Sequence, residues 1–190
     1  MLMLREKVPA DWAARMLAQM PLVLVDHAHL ERKAATTALN LEKYRHLYGQ
    51  VGQLNAIAIE ELQHFEMVLG LLRSRGIPFG QPHPSPWITG LMRSIRKGCQ
   101  VQVIDHLICC ALIEGRSCEK FQILSEALAG VDGELSRFYA GLVESEGNHY
   151  ATYLLMARGI DEGETARRLD FYLDRDAELM RERHDLPILH

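Results

Sequence analysis

Two short stretches, Glu61-Leu62-Gln63-His64 and Glu146-Gly147-Asn148-His149, decide how this chain folds. In each stretch a glutamate and a histidine are three positions apart, which places both side chains on one face of a helix, one turn apart. A lone glutamate precedes each motif by about thirty residues, Glu31 in the first half and Glu114 in the second. One such motif means little by itself, but its repetition in a matching pattern indicates two related helical hairpins.

The surroundings of the four glutamates indicate that they face a core. Positions three, four and seven residues away hold apolar, small or aromatic residues, histidines or serine, and never Lys or Arg. Around Glu31, for example, these residues are Leu24, His27, Ala28, Ala34, Ala35 and Ala38. An isolated buried carboxylate costs several kcal/mol, so four of them require compensating cations. Two divalent metal ions would supply four positive charges against four negative ones.

The pattern therefore predicts a dinuclear metal centre with six protein ligands: Glu31, Glu61, His64, Glu114, Glu146 and His149. Carboxylates with two neutral imidazoles suit iron or manganese better than zinc. We expect Glu61 and Glu146 to bridge the two metals and the lone glutamates to bind terminally. Six ligands on two irons leave open positions, which predicts oxygen activation.

Other polar side chains near these motifs have simpler interpretations. His27, one turn before Glu31, is expected to be a supporting or core histidine rather than a seventh ligand. Three tyrosines near the second motif are interpreted as packing residues: Tyr139, Tyr150 and Tyr153.

Hydrophobic periodicity predicts four long helices and three shorter ones. The long helices cover Leu22–Leu47, Val51–Arg75, Cys99–Ala129 and Glu134–Arg158, and the shorter ones 10–19, Trp87–Lys97 and Glu164–Arg183. Short turns join the long helices in pairs, so each pair should form an antiparallel hairpin. The 23 residues between Arg75 and Cys99 could reach about 70 Å, enough to cross a bundle of helices about 38 Å long. We expect an all-α, ferritin-like four-helix bundle with one long crossover, extra N- and C-terminal helices, and a single domain over 1–190.

Composition limits the possible partners and compartment. The net charge of −4 gives no general attraction to nucleic acid or acidic membranes. No apolar run approaches the roughly 18 residues that cross a bilayer, and charged residues interrupt the N-terminal segment. The four cysteines fall in one predicted helix without Cys-x-x-Cys spacing, which favours reduced packing residues in a cytoplasmic protein with no membrane partner.

The residues around the motifs resemble one family, the bacterial tRNA 2-methylthio-N6-isopentenyladenosine hydroxylases. The resemblance covers nearly the whole chain, including the proline-rich connection and the charged last helix. The segments that carry it are Asp26-His27-Ala28-His29-Leu30-Glu31-Arg32-Lys33-Ala34-Ala35, Glu61-Leu62-Gln63-His64-Phe65-Glu66, Glu114-Gly115-Arg116-Ser117-Cys118-Glu119 and Glu146-Gly147-Asn148-His149-Tyr150.

The resemblance implies a non-haem di-iron monooxygenase. Such an enzyme hydroxylates the isopentenyl side chain of a modified adenosine next to the anticodon, using O2 and electrons from an external reductase or ferredoxin. The six ligand positions match the family pattern one for one. A tRNA anticodon loop needs cationic contacts, for which the candidates are Arg93, Arg96, Lys97, Arg167 and Arg168.

Two other functions fit the ligand pattern alone. An iron-oxidising or peroxide-detoxifying protein of the ferritin or rubrerythrin type is one, although the chain lacks a Cys-x-x-Cys module and carries an extra charged helix. A quinone hydroxylase is the other, and it would need a basic, amphipathic docking surface that no predicted helix clearly provides.

Overall fold

Every regular element in the computed structural model, which describes residues 2–182 and 186–190, is helical. The elements are α1 (Trp12–Leu17), α2 (Met20–Leu41), a 3-10 helix (Arg45–Gln50), α3 (Val51–Ser74), α4 (Pro86–Met92), α5 (Cys99–Leu128), α6 (Gly133–Ile160) and α7 (Glu162–Arg181). Arg183, the predicted end of the last helix, lies outside the described residues. The described residues divide into two compact units. The single domain over 1–190 stays a prediction.

Unit I comprises residues 18–84 and 186–189, and its framework is the hairpin of α2 and α3. Pro21 stands in the first turn of α2, where its missing N–H costs no hydrogen bond. Ala28, Ala35 and Ala38 are at most 2% exposed, so α2 buries a face of small side chains. Small side chains let a neighbouring helix approach closely.

The first long helix ends at Leu41, well before the predicted end at Leu47. The backbone of Tyr44 is extended (φ −83°, ψ 116°), which breaks the helix and starts the 3-10 segment. Leu47 lies in that segment and is fully buried. The apolar periodicity continues past the end of α2, because the 3-10 helix also presents an apolar residue to the core. The helix predicted from that periodicity is therefore too long.

Helix α3 matches its predicted span of Val51–Arg75 to within one residue. Gly76 follows it with φ +65°, a left-handed conformation that only glycine adopts without strain. The N–H of Ile77 then donates to the carbonyl of Leu72 at 2.9 Å, closing the helix in a Schellman-type end.

Unit II comprises residues 2–17, 85–182 and 190, and its framework is the hairpin of α5 and α6. Asp132 begins α6, since its Oδ1 accepts from the N–H of Leu135 at 3.1 Å. Helix α7 packs on both α5 and α6, while α4 packs on α5 and α7. The predicted hairpin over Cys99–Ala129 and Glu134–Arg158 is confirmed.

The short helix α4 ends at Met92, so the prediction of a helix to Lys97 is wrong. The N–H of Arg96 donates to Oδ2 of Asp105 at 3.0 Å, and its guanidinium binds the same carboxylate. These bonds hold the chain after Met92 in a non-helical path. The carboxylate comes from α5, so the local sequence carried no sign of the break.

The connection between the helices predicted to end at Arg158 and begin at Glu164 is reduced to one residue. Helix α6 runs on to Ile160, and Asp161 alone is extended (φ −161°, ψ 106°) before α7 begins. Its Oδ1 accepts from the N–H of Glu164 at 2.8 Å, a side-chain cap that replaces a longer turn.

The cysteines and the membrane expectation can be compared with the described helices. All four cysteines are free and lie in α5; Cys109 and Cys110 are buried as expected, whereas Cys99 is exposed. Burial raises the pKa of the Cys109 thiol to about 12, so it stays protonated. In the described part of the chain, no helix combines the length and apolarity needed to cross a membrane.

A buried ion pair ties the helices of unit II together. Arg116 and Asp176 are both fully buried, and the guanidinium Nε of Arg116 donates to Oδ1 of Asp176 at 3.0 Å. The same carboxylate oxygen accepts from Nε1 of Trp87 at 3.0 Å. A second guanidinium nitrogen donates to the backbone carbonyl of Glu6 at 2.8 Å. One carboxylate on α7 therefore fixes α4, α5 and the N-terminal segment.

Replacing this carboxylate should destabilise the protein strongly. In Asp176→Ala, Arg116 and Trp87 lose their common acceptor inside the core, which should lower the free energy of unfolding by about 3–5 kcal/mol. Urea unfolding followed by circular dichroism measures the change. Asp174→Ala is the matched control, because Asp174 also lies on α7 and pairs with an arginine but is largely exposed. Equal losses in both variants would contradict the role given to the buried pair.

Candidate metal centre

Three of the predicted ligands meet inside unit I. Glu31 comes from α2, and Glu61 and His64 come from α3. Their ligand atoms lie within 4.8 Å of one another, with Nδ1 of His64 3.6 Å from Oε2 of Glu31 and 4.0 Å from Oε2 of Glu61. None of the three is more than 6% exposed. The i, i+3 spacing of the motif thus delivers both of its side chains to one place.

His27 supports Glu31 from the preceding turn of α2. Its Nε2 donates a hydrogen bond to Oε1 of Glu31, and its ring is completely buried. Burial by itself would raise the pKa of Glu31, but the interaction with His27 and the hydrogen bonds from His27 and His64 lower that pKa well below its usual range. Glu31 is therefore ionised and could bind a cation. His27 has the supporting role predicted for it.

The other three predicted ligands meet inside unit II. Glu114 comes from α5, Glu146 and His149 from α6, and their ligand atoms also lie within 4.8 Å of one another. They are 4%, 1% and 3% exposed, respectively. Unit II therefore repeats the arrangement of unit I, with one lone glutamate and one Glu-x-x-His pair.

A glycine allows close packing beside Glu114. A Cβ atom added to Gly115 would stand 3.0 Å from Cδ2 of Tyr150, a distance that would force the ring to move. The neighbouring tyrosines Tyr139 and Tyr153 are at most 1% exposed, and the rings of Tyr139 and Phe121 are 5.3 Å apart. These tyrosines line the packed interior of the hairpin, as predicted for packing residues.

Each set of three could hold a metal ion. Each offers two carboxylates and one imidazole, a donor set suited to divalent iron or manganese. Each is buried, so a bound cation would be shielded from water and would offset carboxylate charge that burial makes unfavourable. The residues present therefore fit a metal centre.

The five basic residues predicted to contact tRNA differ in how they are bound. Arg96 and Arg168 both bind Asp105, with Nε of each 2.9 Å from one of its carboxylate oxygens. Asp105 is fully buried. Burial would raise the pKa of Asp105, but the hydrogen bonds from Arg96 and Arg168 lower it below its usual value. These two arginines hold α5, α7 and the segment after α4 together.

The remaining three basic residues are exposed. Arg93 and Lys97 lie on either side of Arg96 with their side chains in solvent. Arg167 is also exposed and pairs with Glu164 at 2.5 Å. Their charges are thus more accessible to a polyanion than those of Arg96 and Arg168.

The sequence interpretation missed Asp105. Its position in the apolar stretch Val103-Ile104-Asp105 marks a buried acid in the same way as the four glutamates. No histidine stands three residues away to mark it as a ligand, and its two arginines are 9 and 63 residues distant in the chain. Their convergence required the folded structure.

An all-α chain that repeats a lone glutamate and a Glu-x-x-His pair on paired helices has the architecture of the ferritin-like class, and its two buried sets could hold metal ions. The chain matches, over residues 1–190, the family described as tRNA-(MS[2]IO[6]A)-hydroxylase (MiaE). It belongs to that family.

Two relatives carry the name tRNA 2-(methylsulfanyl)-N(6)-isopentenyladenosine(37) hydroxylase. The protein from Pseudomonas putida is 38% identical over 174 residues, which are 90% of this chain and 83% of the relative. The protein from Salmonella typhimurium is 36% identical over 121 residues, 64% of this chain and 44% of the relative. Both confirm the resemblance inferred from the motifs.

A solved structure confirms the fold class. It is described as protein 43 with aldehyde deformylating oxygenase activity, from Synechococcus, and matches with a TM-score of 0.90 at 32% identity. The match covers 98% of this chain and 94% of the other. The predicted all-α, ferritin-like fold is therefore correct.

Neutralising one buried glutamate should weaken metal binding without unfolding the protein. In Glu146→Gln, a ligand loses its charge but keeps its shape, so affinity for Mn²⁺ should fall about tenfold or more, and stabilisation at a given metal concentration by about 1.4 kcal/mol. The metal-free variant should be at least as stable as wild type, since a buried charge is removed. Thermal unfolding with and without Mn²⁺ measures both effects.

Glu144→Gln is the control, because Glu144 lies on the same helix with its side chain in solvent. A metal-induced stabilisation that is equal in both variants would show that Glu146 does not bind the metal.

Proposed function

We propose that this chain is a non-haem di-iron monooxygenase that hydroxylates the isopentenyl side chain of 2-methylthio-N6-isopentenyladenosine next to the anticodon of tRNA. The observation that carries the proposal is the pair of matching buried sets, each with two carboxylates and one imidazole. Membership of the hydroxylase family and the names of two relatives support the substrate.

In the proposed centre the two sets would serve one pair of irons. Glu31 and His64 would bind one metal, Glu114 and His149 the other. Glu61 and Glu146 would span both. Four carboxylates against two ferrous ions give a neutral centre, which removes the main cost of burying these side chains. Two irons per chain also explain why the pattern occurs twice rather than once.

The bound irons would supply electrons and open coordination positions for O2, so that one oxygen atom enters a C–H bond of the substrate and the other leaves as water. A full turnover takes up two protons and two electrons, and these electrons restore the irons to the ferrous state. We propose that an electron-donating reductase or ferredoxin supplies them.

The residues of the chain itself have the task of positioning. His27 fixes the carboxylate of Glu31 through its Nε2 hydrogen bond, as partners of metal ligands commonly do. The burial of all six proposed ligands keeps bulk water away from the reacting atoms.

Other reactions of this fold are less well supported. The structural relative from Synechococcus is described by an aldehyde deformylating oxygenase activity, and ferritin-type iron oxidation or quinone hydroxylation would use a similar ligand set. The match to the hydroxylase family over 1–190 and the higher identity of the Pseudomonas relative favour the tRNA substrate.

The decisive experiment combines metal analysis with tRNA nucleoside mass spectrometry. Anaerobically loaded wild-type protein should hold about two irons per chain, and a strain without the gene should lose the hydroxylated nucleoside. Glu31→Ala and Glu114→Ala should each fail to restore it, because an incomplete ligand set cannot hold the pair. Glu66→Ala, an exposed glutamate on α3, should restore it fully.

Three results would refute the proposal. They are an iron content limited to one or none with the fold intact, a nucleoside profile unaffected by the deletion, or wild-type turnover in either ligand variant.

A second experiment tests the predicted basic contacts. Because Arg96 and Arg168 are bound to Asp105, the informative change is Arg93→Gln with Lys97→Gln. This double variant should bind tRNA more weakly, and the slope of log K against log salt should fall by about 0.7 to 0.9 for each lost phosphate contact. Iron content should not change.

The control removes two exposed arginines of α6, Arg137→Gln with Arg158→Gln, and alters the net charge equally. If both double variants lose the same affinity, the effect is one of overall charge, and Arg93 and Lys97 are not specific contacts.

A further inference from the structure

One aromatic ring in unit I is held rigidly and yet left partly in solvent. Phe79 follows α3 in the proline-rich segment and is 42% exposed. Its ring stacks on His29, with centroids 4.4 Å apart and planes at 25°. The ring of Phe65 lies 5.9 Å from it at an interplanar angle of 61°. These two contacts position the ring and leave part of it in solvent.

His29 links this ring to an arginine. The His29 side chain is only 3% exposed. Its Nε2 donates to the carbonyl of Gly80 at 2.8 Å. Its Nδ1 can therefore accept from Nη2 of Arg32 at 3.1 Å. The guanidinium carbon of Arg32 is 5.8 Å from the centroid of Phe79. One buried imidazole therefore positions the loop, the ring and the guanidinium together.

Arg32 has an exposed side chain, and among the described residues it forms no ion pair with a carboxylate. Arg96 and Arg168, by contrast, share a buried aspartate. Lys33, the next residue, is also exposed. The positive charge of Arg32 therefore lies beside the partly exposed ring.

Anchoring of the loop accounts for only part of this arrangement. The contacts with His29 and Phe65 explain why one side of Phe79 is buried. They do not account for the part of the ring that remains in solvent beside the guanidinium of Arg32. A fixed aromatic face next to a guanidinium is the arrangement by which proteins hold bases of single-stranded RNA.

We propose that Phe79 and Arg32 form a stacking platform for the anticodon loop, with a base against the exposed part of the Phe79 ring and an adjacent phosphate at Arg32. The inference rests on the proposed function and names residues that position its substrate. The platform adjoins the metal-binding set in sequence, since Arg32 follows Glu31 and Phe65 follows His64.

Binding of a fluorescently labelled anticodon stem–loop to the iron-loaded protein tests the platform. Phe79→Leu keeps an apolar side chain against His29 but removes the stacking face, so affinity should fall at least about 5-fold, the low end for losing one stacked base. Phe79→Trp keeps an aromatic face and should bind within about twofold of wild type. Arg32→Gln should lower the salt slope by about 0.7.

Two matched controls come from the same unit. Tyr48→Leu removes an aromatic side chain that is 65% exposed, and Arg45→Gln removes an exposed arginine. Both should bind the stem–loop like wild type. If Phe79→Leu does not fold, as judged by circular dichroism and iron content, the test rests on Arg32→Gln and Phe79→Trp.

The possible failures can be told apart. If wild type hydroxylates tRNA while Phe79→Leu and Arg32→Gln bind the stem–loop like their controls, the platform is refuted and the proposed function stands. If wild type neither binds the stem–loop nor hydroxylates tRNA, the proposed function itself fails. One further outcome would overturn the platform: the variants bind RNA like wild type but lose turnover only when the reductase supplies electrons. The surface would then bind a protein.

Discussion

The burial of four carboxylates is the constraint on which the rest of this structure depends. Glu31, Glu61, Glu114 and Glu146 are each at most 4% exposed, and a carboxylate in that position is unfavourable unless something compensates its charge. The requirement explains why α2, α3, α5 and α6 are long and unbroken where they carry these residues. A kink would displace one ligand of a pair relative to the other. The same requirement explains the small residues beside the four glutamates, such as Ala28, Ala35 and Gly115.

The protein compensates buried acids in two different ways. Asp105 and Asp176 are bound by arginines, whose charge is permanent and whose planar guanidinium fixes the geometry. These acids hold helices together and need nothing further. The glutamates of the candidate centre are accompanied by imidazoles instead. Unlike a guanidinium, an imidazole carries no permanent charge, so carboxylate charge is left for a bound cation to balance. The chain thus places arginine beside the acids that hold its helices together, and histidine beside the acids that could hold a metal ion.

The same distinction decides what could be predicted from the sequence. The helices and the burial of the six proposed ligands were predictable, because both follow from spacing within one helix. Helix ends that depend on distant residues could not be predicted. Arg96 is bound by Asp105 of the next long helix, and this contact holds the chain after α4 in a non-helical path. Tyr44 broke α2 although the apolar pattern continued to Leu47. Asp105 escaped notice for a related reason, since one of its arginines, Arg168, is 63 residues away.

The distribution of charge bears on how a chain with a net charge of −4 could recognise RNA. Arg96, Arg116 and Arg168 are bound to buried acids and are not available to phosphates. Acidic residues also outnumber basic ones in the chain, so contacts with the RNA phosphates can supply only part of the affinity. Stacking on a fixed ring gains affinity from the base itself, and it requires that the base be unpaired. Weak phosphate binding combined with base stacking suits an enzyme whose proposed substrate is a single modified base. Strong phosphate binding would hold it on every tRNA, whereas a small footprint around an unpaired base favours the loop that carries its substrate.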